Sequence, residues 1–234
     1  MRIAFFGGTF DPPHSGHLAI AEAALSRLRL DRILFAPVGR QPLKRDETAS
    51  TFTDRCRMVE LAIAGQPAFE LSLLDAPRSN HQPNYTIDTI LQLKSTLAPD
   101  DHLFCLTGAD SFLTLRQWHR AADLLLACTL IVASRPGFPL GNLVHALPAG
   151  FKAAPAQPEI HDNYQTLHIE NAAHRHAIIH ILPNLDYEVS ATQIRAELAA
   201  EFQTTTLLAP SVAAYIKLHN LYKSDGARRA AKHE

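Results

Sequence analysis

Little in this chain of 234 residues is present in the amounts that mark a specialised class. Its three cysteines, Cys56, Cys105 and Cys128, are odd in number and far apart. That argues against a disulfide framework or a zinc site and for reduced thiols. No apolar run approaches ~18 residues, so no membrane span is expected. The formal net charge is only -1, which advertises neither nucleic acid nor an acidic membrane as a partner. The opening MRIAFFGG is broken by glycine too soon for a secretory signal, and no internal repeat is visible. What remains, 47% hydrophobic and 19% charged residues, is the composition of a globular cytoplasmic enzyme or binding protein.

Apolar strand-like runs alternate with helical patterns. Arg2–Phe6 reads as a strand and His17–Leu28 as a helix with Leu18, Ala21, Leu25 and Leu28 on one face. Arg32–Val38 is a second strand, followed by the loop GRQPLKRDETAS. Thr53 is the expected N-cap of a helix over Asp54–Ala64, with Met58, Leu61 and Ala62 toward a core. A third strand is expected at Phe69–Leu74, then a helix at Thr86–Leu97 with Ile87, Ile90, Leu91 and Leu97 in period. His102–Leu106 is a fourth strand, and a helical stretch at Ser111–Leu126 leads to a fifth, Thr129–Ala133. This alternation predicts an α/β fold, a Rossmann-like doubly wound parallel sheet with helices on both faces. After Arg135-Pro136-Gly137 the rhythm fails, and residues 138–174 read as a long connection with little regular structure. Ala177–Leu182 gives one more strand. A C-terminal helical part starts near residue 190, with a helix at Ser190–Glu201 and a last one opened by Pro210, which suits a first helical turn. Residues 1–226 are read as a single domain and 227–234 as a frayed tail.

Twelve residues, GGTFDPPHSGHL from Gly7 to Leu18, ask for more than a turn. They follow the first strand, and in open parallel sheets ligands sit beyond the carboxyl ends of strands at a topological switch point. Gly7 and Gly8 allow close approach of a ligand to the backbone, and Gly16 clears space at the helix start. That helix start offers unpaired N–H groups and a partial positive charge, both suited to phosphate. His14 and His17 can each donate a hydrogen bond to a phosphate oxygen. The spacing alone leaves two alternatives open: a metal site, for which no third ligand is evident nearby, and a pair of satisfied structural side chains.

The stretch GGTFDPPHSGH resembles the GGTFDPxHxGH signature of the nucleotidylyltransferase superfamily. Within it, the chain is similar to the bacterial nicotinate-nucleotide adenylyltransferases. The segments NYTIDTI (Asn84–Ile90), GADSFLTLRQWH (Gly108–His119), IVASRPGFPL (Ile131–Leu140), VSATQIRAEL (Val189–Leu198) and YIKLHNLY (Tyr215–Tyr222) stand where that family has related segments. The signature alone points to the reaction type; the YTIDT and GADS…WH segments point to a pyridine nucleotide.

The resemblance implies roles residue by residue. Gly7, Gly8, Thr9, Phe10, His14, Gly16 and His17 would contact ATP. VSATQIR resembles the family's ISSTxIR motif, with Val189 and Ala191 departing from it, so Ser190 and Thr192 would offer hydroxyls and Arg195 a fixed charge for the triphosphate. A solvated Arg195 paired with a nearby glutamate is the alternative. Gly108 would allow a tight backbone approach, and Asp110 would contact a ribose or lie near a phosphate, or cap the next helix. Trp118, the only tryptophan, would be the platform for the nicotinate ring unless it is simply core. Tyr85 and Thr86 open a helix whose start would receive the ring carboxylate, and Thr86 could be no more than its cap. Thr9, Lys44 and Arg135 would complete the nicotinate mononucleotide contacts. The family often has a histidine before the lysine of the second loop; here Leu43 stands there, leaving Lys44 to act alone or with Arg45, unless this basic run is simply a solvated loop.

The implied reaction joins nicotinate mononucleotide to ATP, with Mg²⁺ carried on the triphosphate and no metal bound by the protein itself. His14, His17 and Arg195 would be catalytic. Rivals are the same chemistry on nicotinamide mononucleotide, on phosphopantetheine or as cytidylyl transfer, and a nucleotide-binding module without catalysis. A class I aminoacyl-tRNA synthetase shares an H-x-G-H loop, but this chain is short for one and lacks a basic RNA-binding surface. Self-association as a homo-oligomer is compatible with all of these readings. The scattered histidines His161, His168, His174, His176 and His180 match no ligand spacing and read as surface or core residues.

Overall fold

The structure, a computed structural model, describes residues 1–43, 48–80, 82–134, 139–154, 158–185, 189–200 and 206–223. Strands and helices alternate through its first half: β1 (Arg2–Gly8), α1 (Ser15–Arg27), β2 (Arg32–Pro37), α2 (Phe52–Ile63), β3 (Phe69–Leu71), α3 (Thr86–Lys94) and β4 (His102–Gly108). A one-turn helix α4 (Ala109–Phe112), a 3₁₀ turn at Leu115–Gln117 and α5 (Ala121–Ala127) lead to β5 (Thr129–Ala133). Then come α6 (Leu140–His145), β6 (Phe151–Ala153), β7 (Glu159–Ile160), β8 (Gln165–Asn171) and β9 (His176–Leu182). Two helices, α7 (Ala191–Ala199) and α8 (Pro210–Leu218), follow.

These strands form one nine-stranded sheet in the order β3-β2-β1-β4-β5-β9-β8-β6, with β7 pairing β8. Neighbours from β3 to β9 run parallel, whereas β8 is antiparallel to β9, β6 and β7. The period of two along each strand splits the core. Ala4, Phe6, Ile33, Phe35 and Ile131 pack with Ala21 and Ala24 of α1 and Val59 and Ile63 of α2. Their neighbours Phe5, Cys105, Leu130 and Val132 face the other way, onto Ile87 and Ile90 of α3 and Leu124 and Leu125 of α5. A third cluster joins Met58 of α2 to Ile194 of α7 and to Val212 and Ile216 of α8. The C-terminal helices are thereby moored on α2, beside the carboxyl end of β1.

Five expectations need correction. The first helix starts at Ser15 rather than His17, because His14 takes the extended backbone of an N-cap (φ -137, ψ 170). Thr51 rather than Thr53 caps α2, its hydroxyl accepting from the Asp54 N–H while the Asp54 carboxylate reaches back to Thr51. In α3 the buried face includes Thr89 and Leu93, and Leu91 is 41% exposed. The cause is a buried hydrogen bond, Thr89 Oγ1 donating to Asp75 at 2.6 Å, which turns that face inward. The stretch over Ser111–Leu126 is broken into α4, the 3₁₀ turn and α5, since Trp118 is extended and Arg120 adopts a left-handed φ of 51. Residues 138–174 are not an irregular connection: they carry α6, β6, β7 and β8. In β8 only Leu167 and Ile169 meet the core on the α3 and α5 face, and β6 and β7 are three and two residues long, too short to show a period. The expected frayed tail lies outside the described residues, as do Lys44, Arg45 and Arg135.

Candidate active site

A cleft of about 1230 Å³ opens at the carboxyl edge of β1, β4 and β5, where the strand order reverses between β1 and β4. The loop after β1 forms its floor. Glycine at positions 7 and 8 serves the protein's own packing: a Cβ on Gly7 would stand 2.8 Å from the Phe5 ring, and one on Gly8 2.9 Å from the Phe10 ring. Phe10 itself is buried with a left-handed φ of 51. A Cβ on Gly108 would meet nothing within 4 Å, so the cleft is open against that backbone.

His14 and His17 lie one turn apart at the start of α1 with ring centroids 3.7 Å apart. The backbone N–H of His14 donates to His17 Nδ1 at 3.2 Å. The neutral ring of His17 therefore carries its proton on Nε2. An edge contact with the Phe10 ring (centroids 5.0 Å) holds the imidazole in place. His14 is 7% exposed and its Nδ1 is buried with no hydrogen-bond partner among the described residues. Burial lowers its pKa to about 4, and burial together with the His14 charge pushes His17 well below the ordinary 6.5. Both rings are neutral near pH 7, poised as hydrogen-bond donors whose cationic forms an incoming polyanion would favour.

Other elements lock the loop from outside. Thr9 Oγ1 donates to Gln41 Oε1 at 3.1 Å, and the Thr9 carbonyl accepts from Nη1 of the buried Arg55 on α2 at 2.8 Å. Asp11, 2% exposed, accepts from the Ala49 N–H at 2.6 Å, the Ser50 hydroxyl at 2.5 Å and the Tyr222 hydroxyl at 2.7 Å. Arg195, one turn into α7, donates from Nη1 to the Asp11 carbonyl at 2.8 Å and from Nη2 to Thr192 Oγ1 at 3.3 Å. Its partners are thus the loop after β1 and its own helix, and Glu197 is instead engaged by Gln193. Ser190 stands at the N-cap of α7 without a side-chain capping bond.

The far wall of the cleft is aromatic. Tyr85 is the N-cap of α3 and Thr86 its first residue. The rings of Tyr85 and His119 lie 4.2 Å apart, tilted by 32°. Trp118 is half-buried, with Nε1 donating to Thr114 Oγ1 at 3.0 Å. Asp110 is the second residue of α4, so Gly108 and not Asp110 takes the cap position there.

A family model described as cytidylyltransferase-like matches residues 5–197. The chain belongs to that family. It is 37% identical over 222 residues to a Pelobacter propionicus protein named "probable nicotinate-nucleotide adenylyltransferase", covering 95% of this chain and 98% of that one. A Cronobacter sakazakii protein of the same name is 37% identical over 220 residues, covering 94% and 95%. Among solved structures, the nicotinic acid mononucleotide adenylyltransferase of Plasmodium falciparum, complexed with APC and separately with NaAD, superposes with a TM-score of 0.66 at 17% identity. That match covers 94% of this chain and 96% and 97% of those chains, and it shows a shared fold.

Of the residues singled out in the sequence, Gly7, Gly8, Thr9, Phe10, His14, Gly16, His17, Tyr85, Thr86, Gly108, Asp110, Trp118, Ser190, Thr192 and Arg195 all line the one cleft. Lys44 and Arg135 fall outside the described residues. Sequence reasoning passed over Gln41, His119, Arg55 and Tyr222. His119 could have been found from its place beside Trp118 at the end of the GADSFLTLRQWH stretch. Nothing local marks Arg55 or Tyr222, whose contacts join residues 46 and 211 positions apart.

Proposed function

We propose that the chain transfers the adenylyl group of ATP to nicotinate mononucleotide, giving nicotinate adenine dinucleotide and pyrophosphate. The observation that carries this reading is the pair of neutral imidazoles at the start of α1, in one cleft with Arg195 on one side and Tyr85, Thr86 and Trp118 on the other. The relatives' names and their nearly full-length coverage support it. Residues 1–226 would act as a single nucleotidylyltransferase domain in the cytoplasm, where the free thiols Cys56, Cys105 and Cys128 stay reduced.

The phosphate of nicotinate mononucleotide attacks the α-phosphorus of ATP in line. The new P–O bond forms as the bond to the β-phosphate oxygen breaks, and pyrophosphate leaves with that electron pair. The nucleophile is already anionic, so no protein base and no covalent enzyme intermediate are needed. Catalysis is positioning and charge stabilisation. His17 donates from Nε2 and His14 from its ring N–H to α- and β-phosphate oxygens, beside the positive end of α1. Arg195 holds the leaving pyrophosphate, with Ser190 and Thr192 offering hydroxyls at the start of α7. Gly7, Gly8, Thr9, Phe10, Gly16, Gly108 and Asp110 shape the ATP side. Thr9, Lys44, Tyr85, Thr86, Trp118 and Arg135 receive the mononucleotide, its ring on Trp118 and its carboxylate at the start of α3.

Magnesium neutralises triphosphate charge when bound. The donor set fits an ion that arrives on ATP: among the described residues of the cleft, Asp11 and Asp75 are buried and hydrogen-bonded within the protein. The test is label transfer from ATP in the presence of Mg²⁺ and nicotinate mononucleotide. Label on the α-phosphate should appear in the dinucleotide and label on the γ-phosphate in pyrophosphate. Transfer of the γ-label to the acceptor, or tight ATP binding with no release, would overturn the reading.

A further inference from the structure

Tyr222 lies beyond α8, yet its hydroxyl reaches the carboxylate of Asp11 inside the loop that faces the triphosphate. Its ring is buried in the cluster of Met58, Ile194, Leu208, Val212 and Ile216. A phenylalanine would fill the same space, so packing alone does not require the hydroxyl. The backbone at Tyr222 adopts a left-handed φ of 63, a conformation that bulky residues rarely take and that stores strain. Burial and the nearby Asp11 push the ionisation of the phenol upward, which keeps it a donor. A buried hydroxyl donating to a carboxylate makes a charge-assisted bond, stronger than a neutral one.

The same loop is tied to the C-terminal part at two further points. The Ser15 N–H donates to the Leu207 carbonyl at 2.9 Å, and Arg195 donates to the carbonyl of Asp11. The residue that receives Tyr222 is thus the one whose backbone seats Arg195, three positions before His14. We propose that Tyr222 is a positioning residue of the adenylyl transfer: its hydroxyl on Asp11 fixes the register between the His14–His17 turn and Arg195. This rests on the reaction proposed above. The tyrosine touches no reacting atom; it acts through Asp11.

The test compares Tyr222→Phe with the wild type and with Ile216→Val, which trims the same cluster without touching Asp11. With ATP and nicotinate mononucleotide, Tyr222→Phe is expected to lower kcat about tenfold, the order of one lost charge-assisted hydrogen bond. KM for the mononucleotide should stay unchanged, and Ile216→Val should lose stability while keeping kcat. Amide hydrogen exchange across Thr9–Gly16, read without substrates, should quicken in Tyr222→Phe alone. Wild-type kcat and wild-type exchange in Tyr222→Phe would overturn the proposal. So would equal losses in both variants, which would assign the effect to the cluster and not to the hydroxyl. If the wild type itself released no pyrophosphate, the proposed reaction would fail, and the exchange comparison would still decide whether Tyr222 clamps the loop.

Discussion

His17 owes its chemistry to a single backbone hydrogen bond. Because its Nδ1 accepts from the His14 N–H, the proton sits on Nε2 and the ring works as a donor without being charged. Replacing His17 by alanine should lower kcat on the order of 10²–10³-fold, about 2.7–4 kcal/mol, as for the loss of one donor to a developing anion. KM for nicotinate mononucleotide should change little, since Tyr85, Thr86 and Trp118, the proposed seat of the acceptor's ring and carboxylate, are other residues of the cleft. Steady-state kinetics with each substrate varied in turn checks this. A fall in binding of both substrates with kcat intact would mean that the histidine only shapes the pocket. The pair His14 and His17 was legible from sequence, because glycine, proline and histidine crowd into one loop after a strand. The protonation state was not legible. It depends on burial by Phe10 and by the neighbouring imidazole, contacts that exist only once the loop is folded.

At the scale of elements, the parallel core could be read from strands buried on both faces, such as Arg2–Gly8 and Thr129–Ala133, whose apolar runs are continuous. Where apolar and polar side chains alternate along a strand, reading failed: Leu167 and Ile169 of β8 are separated by His168 and flanked by the buried Thr166 and by Glu170. A helix end was misplaced, and a buried face misread, where a polar bond overrode the apolar period: the cap of Thr51 and Asp54 in α2 and the Thr89–Asp75 bond in α3. The reciprocal cap of α2 gives a prediction of its own. Thr51→Ala should destabilise the protein by about 1 kcal/mol, read as a lower urea midpoint at unchanged slope. An unchanged midpoint would show that Tyr215, which donates to Asp54 at 2.9 Å, holds the helix start without the cap.

For the whole molecule, burial of neutral histidines couples stability to acid. His14 and His180 both have pKa values lowered to about 4, His180 by burial first and then by the charges of Arg2, His161 and His168. The unfolded chain takes up these protons near pH 6.5 and the folded protein only near pH 4. The stability each contributes is therefore complete above pH 6.5 and lost as pH falls toward 4, by about 3 kcal/mol per group at most. Chemical denaturation between pH 7 and 4 should show this slope, and His180→Gln should flatten it. A slope identical in the variant would mean that the acid sensitivity lies elsewhere. The long-range ties at Asp11 belong to this scale too. No local pattern announces them, since Ala49, Ser50, Arg195 and Tyr222 converge on that residue from three other parts of the chain.

The most direct single measurement is pyrophosphate release by the wild-type protein with ATP, Mg²⁺ and either nicotinate mononucleotide or nicotinamide mononucleotide as acceptor. Fast release with the acid and little with the amide is predicted, because the start of α3 at Tyr85 and Thr86, the proposed seat of the carboxylate, carries the partial positive charge of a helix N-terminus. Equal release with both would contradict the assignment of that wall, and no release with either would contradict adenylyl transfer to a pyridine nucleotide.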